Sequence, residues 1–365
     1  MYNLVQELSR QGAFVTTISP MNAWRGLRLG GMGYGRELSR VIRPRYVSWS
    51  NKTVYPGISS GRMSAFAFKG AVQRGAREIE RPDVVYSHFL FPAGYAALKI
   101  AEEYRVPAVV ALGESSMERH ERTHGVSSVR EHINRFDHVI TVSSLLRDYC
   151  VERMDVDPTK VSIIPNAVDT TLFQAQDRQL IRGRLGLPSN AFTITYLGHF
   201  NDRKGYARVL SAMERLPDIK GIFIGDGPKY PKGEQVLFAG PLKHSAVPEW
   251  LAAGDIFVLP TLAEGYCNAV NEALAMGLPL VVSDIPELRE QADESVAIFV
   301  NPNDVDHIAD AIAKLYSDVE RHSLMAKAAL RLGQSRSLST RANKILNLLH
   351  ELVKSNSDDL RVAMH

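Results

Sequence analysis

Cysteine is almost missing from this chain: Cys150 and Cys267 are the only two in 365 residues. They lack disulfide or metal-site spacing, which excludes a disulfide scaffold and makes a reducing cytosol the expected compartment. Long apolar runs are missing too. No stretch approaches the roughly 18 apolar residues of a membrane-spanning helix. The opening "MYNLVQELSRQGAFVTTISP" has no basic segment leading into an apolar one, so it does not read as a secretory signal. Repeats and low-complexity tracts are absent, and aromatic residues do not alternate with bases in any nucleic-acid-binding pattern.

What is present is an ordinary globular composition, 45% apolar and 23% charged, in a chain long enough for two domains and a cleft between them. The net charge of +3 conceals an asymmetry. Residues 1–80 hold 12 Lys/Arg against 4 Glu, leaving 31 Lys/Arg against 36 acids in the remainder. Positive charge concentrated at one end suits a phosphate-bearing acceptor or an anionic membrane surface, or is simply a solvated face.

Short Val/Ile-rich runs alternate with helical patterns: "PDVVYSH", "PAVVAL", "HVITVS", "KVSIIP", "FTITYLG", "IKGIFIG", "DIFVLP" and "LPLVVS". Alternation of this kind predicts an α/β fold with parallel sheets covered on both faces. A polar, turn-rich stretch from Pro165 separates two sets of runs and puts the boundary near Asp169. The expected domains are 1–168, 169–335 and a closing helix over 336–365 that returns towards the first domain.

Open parallel sheets bind ligands beyond the carboxyl ends of their strands. Four consecutive places in the second half fit. "YLGHFNDRKGY" ends a strand at Gly198 and brings Arg203 and Lys204, two cations able to neutralise a diphosphate leaving group. "GIFIGDGPKY" runs into Gly225 and Gly227, and "VLFAGPLKH" into Gly240, glycines that would admit a ligand close to the backbone. "LPTLAEGYCNAVNEALAMGLPLVVS" carries Glu264, then a helix from about Asn268 that carries Glu272. The free N–H groups of that helix start suit phosphate, and carboxylates suit sugar hydroxyls. Taken singly, each has an ordinary alternative: surface cations, tight turns, a helix-start carboxylate.

Together these segments resemble the donor domain of glycosyltransferase family 4, whose pattern of Glu, seven residues, Glu is matched by Glu264 and Glu272. "KVSIIPNAVDTTLF" is similar to the family's crossover, and "VVYSHFLFPAGYAAL" to members acting on bacterial surface polysaccharides. The resemblance implies a GT-B fold: two Rossmann-like domains facing each other across a cleft. It implies Glu264 at the donor sugar, Glu272 at the ribose, and Gly265, Tyr266, Cys267 and Asn268 at the diphosphate with Arg203 and Lys204. The Gly240 to Leu242 turn would lie by the base. It further implies hexosyl transfer from a nucleotide sugar, with retention and no obligatory metal. UDP is preferred to GDP because the turn after Gly240 continues "PLKHS" with no carboxylate placed to read guanine's donors, and the basic first 80 residues suit a glycan or lipid-linked acceptor met by a cytoplasmic or peripheral membrane protein. A nucleotide-sugar epimerase of the same fold, or a binding subunit with little turnover, are the alternatives.

Three departures stand out. His199 occupies the position after Gly198 where the family usually has Arg. Gly113 occupies that of an acceptor-side histidine, for which Glu114, His88 and His120 are candidate substitutes. The chain opens in what resembles the family's first helix, "LVQELSRQGAFVTTISP", without the preceding strand, and an in-frame upstream strand is the expectation. "LGGMGYGREL", with Gly30 to Gly35, reads as a mobile loop. The "DVD" strings at Asp155 and Asp304 read as backbone caps.

Overall fold

The computed structural model describes residues 2–22, 39–47, 53–55, 58–114 and 117–362. The Gly30 to Gly35 cluster lies outside them. Two compact units are formed, one from Met1–Pro165 with Arg341–His365 and one from Asn166–Thr340. The divisions fall after Pro165 and Thr340 for a local reason. Val168 forms a parallel bridge with Ser337, through Val168 N–H to the Arg336 carbonyl (2.9 Å) and Leu338 N–H to the Val168 carbonyl (3.0 Å), which keeps both crossing segments with the second unit at that point.

In the first unit the segment taken as one helix is two elements, a helix Tyr2–Arg10 and a strand β1 (Val15–Ile18). Gly12 breaks the helix, and the β-branched run Val15-Thr16-Thr17-Ile18 then favours an extended backbone. β1 pairs in parallel with β3 (Ser39–Ile42), β2 (Met21–Asn22) with β4 (Arg45–Tyr46), and β5 (Thr53–Tyr55) antiparallel with β6 (Ile58–Ser59). A four-stranded parallel sheet follows, in the order β10 (Val161–Ile163), β9 (His138–Thr141), β8 (Ala108–Leu112), β7 (Val85–His88). Every residue of β8 and β9 is buried, as continuous apolar runs covered on both faces require.

The second unit is a six-stranded parallel sheet in the order β13 (Val236–Gly240), β12 (Lys220–Ile224), β11 (Thr193–Leu197), β14 (Ile256–Leu259), β15 (Leu280–Ser283), β16 (Ala297–Val300). Strands β11, β12 and β13 proceed outward in one direction, and β14, β15 and β16 in the other. The chain therefore reverses between β11 and β14, and the crevice at their carboxyl ends is where such sheets take ligands. At the opposite, amino end of these strands Asp255 is buried. It accepts from Arg182 Nη2 (2.7 Å), Arg178 Nη1 (2.5 Å) and Thr193 N (2.7 Å).

Candidate active site

The loops leaving β11 and β14 are bonded to each other. Leu262 N–H donates to the Arg203 carbonyl (2.8 Å), and Arg203 Nη1 donates to the Ala263 carbonyl (2.5 Å). Gly205 permits this approach. It has φ +80, and a Cβ there would sit 2.3 Å from the Pro260 carbonyl oxygen, so any side chain would force the two loops apart.

Glu264 lies at the centre of this junction, 7% exposed. Its Oε1 accepts from Lys204 Nζ (2.6 Å) and from Thr261 Oγ1 (2.7 Å), with Arg203 Nη1 at 3.6 Å. Two cations and a carboxylate separated by 60 residues in sequence thus share one point. Thr261, fully buried, was not visible as a functional candidate. Its hydroxyl also has the Arg203 and Ala263 carbonyls at 3.1 and 3.3 Å, and the charged, nearer acceptor is the stronger one. Ser283 Oγ donates to the Thr261 carbonyl (2.6 Å), tying the end of β15 into the same junction. Arg203 is 44% exposed but Lys204 only 13%, because its ammonium folds inward onto Glu264.

Gly225 and Gly227 are needed within the chain itself. A Cβ at Gly225 would lie 1.9 Å from the Gly198 carbonyl oxygen, and one at Gly227 2.4 Å from that of Phe200. The close approach these glycines allow is made by the chain's own β11 loop. Phe200 N–H donates to the Asp226 carbonyl (2.8 Å), and Gly198 N–H to that of Ile224 (3.0 Å). His199 stays exposed, its Nδ1 3.4 Å from the Asp226 carbonyl. Gly240 accepts from Gly225 N–H (2.9 Å), so the turns after β11, β12 and β13 form one ledge, with Leu242 packed against the core beneath it.

Cys267 precedes the helix Asn268–Ala275, and its carbonyl accepts from Val270 N–H (3.2 Å). Burial pushes its thiol up to about 11, leaving it unreactive. Asn271, 1% exposed, fastens the helix to the incoming chain: its Nδ2 donates to the Asn166 carbonyl (3.0 Å) and its Oδ1 accepts from Arg336 (3.0 Å). Glu272 is 17% exposed and contacts His244 Nε2 at 3.3 Å. His244 was not singled out from the sequence, where it is one more charge after a strand. The hydrogen bond to Glu272 raises its pKa above the ordinary 6.5. A raised folded-state value means that the pair's stabilisation is fully present below about pH 6.5 and is lost as pH rises through the raised value. His244→Ala is therefore expected to lower Tm more at acid pH than at alkaline pH. An equal loss across that window would contradict the pairing.

In the first unit Glu114 is buried just beyond β8, and its oxygens accept from Leu90 N–H (2.8 Å) and Gly113 N–H (2.9 Å). Desolvation raises its pKa, against the pull of these backbone donors. His120 Nε2 lies 3.6 Å from Glu114 Oε1, and burial lowers its pKa. These two candidates meet. His88 instead packs edge-on against Tyr86, with ring centroids 5.0 Å apart, and desolvation followed by the positive charge of Arg341 lowers its pKa to about 3. The "DVD" aspartates are occupied locally: Asp157 accepts from Thr159 N–H (2.9 Å), and Asp304 from His307 N–H (2.9 Å).

Residues 1–172 match the family described as Glycosyltransferase Family 4, and residues 191–318 that described as Glycosyl transferases group 1. The chain is a glycosyltransferase that carries a domain of each kind. This glycosyltransferase is 26% identical over 326 residues to the putative teichuronic acid biosynthesis glycosyltransferase TuaC of Bacillus subtilis, covering 85% of this chain and 82% of that one. It is 27% identical over 228 residues to the Escherichia coli UDP-Gal:alpha-D-GlcNAc-diphosphoundecaprenol alpha-1,3-galactosyltransferase, covering 57% and 58% of the two chains. Among solved structures, sucrose-phosphate synthase from Thermosynechococcus elongatus superposes with TM-score 0.79 at 17% identity, over 97% of this chain and 92% of that one. Anabaena HepE in complex with UDP and glucose superposes with TM-score 0.73 at 18% identity, over 96% of each chain. The fold of the glycosyltransferase is GT-B.

Proposed function

We propose that this glycosyltransferase moves a hexose or related sugar from a UDP-sugar to a glycan or lipid-linked acceptor, with retention of configuration and no obligatory metal ion. The observation that carries the reading is the convergence of Arg203, Lys204 and Glu264 at the strand-order reversal of the second unit. Arg203, Lys204 and the N–H groups opening the helix Asn268–Ala275 would stabilise the growing charge of the departing diphosphate. That diphosphate would take the acceptor hydroxyl's proton. The contacts of Glu264 with Lys204, Thr261 and Arg203 are made through Oε1, which supports Oε2 as the acceptor for the donor sugar's hydroxyls; Glu272 would receive the ribose, and the Gly240 to Leu242 turn would border the base. Support for UDP comes from HepE, whose structure holds it, and for a lipid-linked acceptor from the name of the E. coli relative.

The test is a panel of UDP-, GDP- and ADP-sugars scored by thermal stabilisation, where a ligand at 100 times its Kd adds about 2.7 kcal/mol, and by transfer to polyprenyl-diphosphate sugars. Stabilisation by UDP-sugars with product formation is expected. Free UDP without product would favour the epimerase alternative, and binding without turnover the binding subunit.

A peripheral membrane position is part of the same reading. No helix among the described residues is long and apolar enough to cross a membrane. The helix Ser60–Ala76 exposes Phe66 (74%) and Met63 (37%), with Lys69 Nζ 6.0 Å from the Phe66 ring centroid and Arg74 exposed further along. Binding to anionic vesicles is expected to weaken as salt rises, and indifference to lipid charge and ionic strength would contradict it.

A further inference from the structure

Among the described residues of the first unit, Phe89 departs most from ordinary backbone geometry. Its φ of 66° and ψ of 144° lie in a region that is almost confined to glycine. The conformation is fixed from every side. Phe89 N–H donates to the Ala111 carbonyl (2.9 Å), and its own carbonyl accepts from Gly94 N–H (3.0 Å). The next residue, Leu90, has its side chain fully buried and its N–H held by the buried carboxylate of Glu114 (2.8 Å). So much restraint does not serve to bury the residue, which is 45% exposed.

The ring has a definite place. It lies beyond the carboxyl ends of the adjacent strands β7 and β8, and its Cε1 is 3.7 Å from where a Cβ on Gly113 would be. Gly113 is not needed for backbone reasons, since an added Cβ would meet only ordinary contacts there. The glycine leaves the place beside Phe89 Cε1 free of a side chain. An apolar core would enclose such a ring, whereas here a strained backbone holds it half out of the sheet end.

We propose that Phe89 is an acceptor-binding residue, its phenyl ring a platform on which a pyranose of the acceptor lays its C–H face beside Gly113. The proposal rests on the transferase reading for the identity of the ligand as a sugar. A pyranose presents axial C–H groups on one face and hydroxyls at its rim, so it can cover an aromatic ring while its polar groups stay hydrated.

Two measurements test it. In saturation-transfer NMR with the methyl α- and β-pyranosides of glucose, galactose and N-acetylglucosamine, the wild type is expected to transfer saturation to the ring protons of at least one. Phe89→Ala and Phe89→Gly should lose most of that signal, about fivefold or more, and Phe89→Tyr should keep it, because only the ring matters. In thermal unfolding, Phe89→Gly should melt above Phe89→Ala, since glycine relieves the strain that alanine retains. UDP affinity should be the same in all three variants. A wild type that engages none of the six glycosides, or a Phe89→Ala variant that engages them equally, overturns the proposal. A protein that stacks these sugars through Phe89 yet transfers nothing from any nucleotide sugar would leave this inference standing and refute the transferase reading instead.

Discussion

Replacing Arg203 and Lys204 together by alanine is expected to lower kcat by about 100-fold or more, because donors aimed at developing leaving-group charge are each worth roughly 2.7 to 4 kcal/mol. The fold should lose much less. Arg203 is 44% exposed, and its ion pair with Glu264 is long, at 3.6 Å. Lys204 is more enclosed, at 13%, and its loss leaves Glu264 with Thr261 as its main partner. A modest fall in Tm is therefore expected from the lysine, and Arg203→Ala alone separates catalysis from folding. Steady-state kinetics on folded protein is the measurement. A double variant with unchanged turnover would reduce this loop to surface.

Asp255→Ala is expected to be the most damaging single change to the second unit. The aspartate neutralises Arg182, which is 3% exposed, and also bonds Arg178 and the Thr193 N–H at the start of β11. Removing it strands a buried guanidinium whose remaining partners are the carbonyls of Ala253 and Ser189, both at 2.9 Å. Loss of one partner of a buried pair costs about 3 to 5 kcal/mol, or roughly 6 to 20 °C in Tm for a unit of this size. Thermal unfolding checks it, with Asp255→Asn as the milder control. A shift of a degree or two would mean that solvent reaches Arg182.

The second unit was the more legible part of the sequence because its inner strands β11, β12, β14 and β15 are buried on both faces and so read as unbroken apolar runs. Glu264 and Glu272 stood out through their spacing, and Arg203 and Lys204 through their place after a strand. What the sequence could not show is that these charges are bonded to one another. Contact between Lys204 and Glu264 depends on β11 and β14 being neighbours, a fact of strand order. Thr261, Ser283 and His244 escaped notice for the same reason: each is unremarkable until the sheet brings its partner alongside. The approach of the β11 loop to Gly225 and Gly227 was equally hidden, because a glycine that admits a ligand and a glycine that admits a neighbouring loop look alike in one dimension. In the first unit the strands before β7 are short, and their β-branched residues follow a helix with little punctuation, so β1 was absorbed into that helix. The Phe89 conformation has no sequence signal, since the groups that hold it and its neighbour Leu90 include the Ala111 carbonyl and the Glu114 carboxylate, both more than 20 residues away.

The central claim is that a nucleoside diphosphate is held by the second unit where its strand order reverses, with Glu272 on the ribose. Calorimetric titration of UDP into the wild type and Glu272→Ala tests this most directly. Losing the acceptor of a largely enclosed hydroxyl pair costs about 1 to 3 kcal/mol, so the Kd should rise roughly 5- to 150-fold. A Glu272→Ala variant that binds UDP as tightly as the wild type would contradict the account.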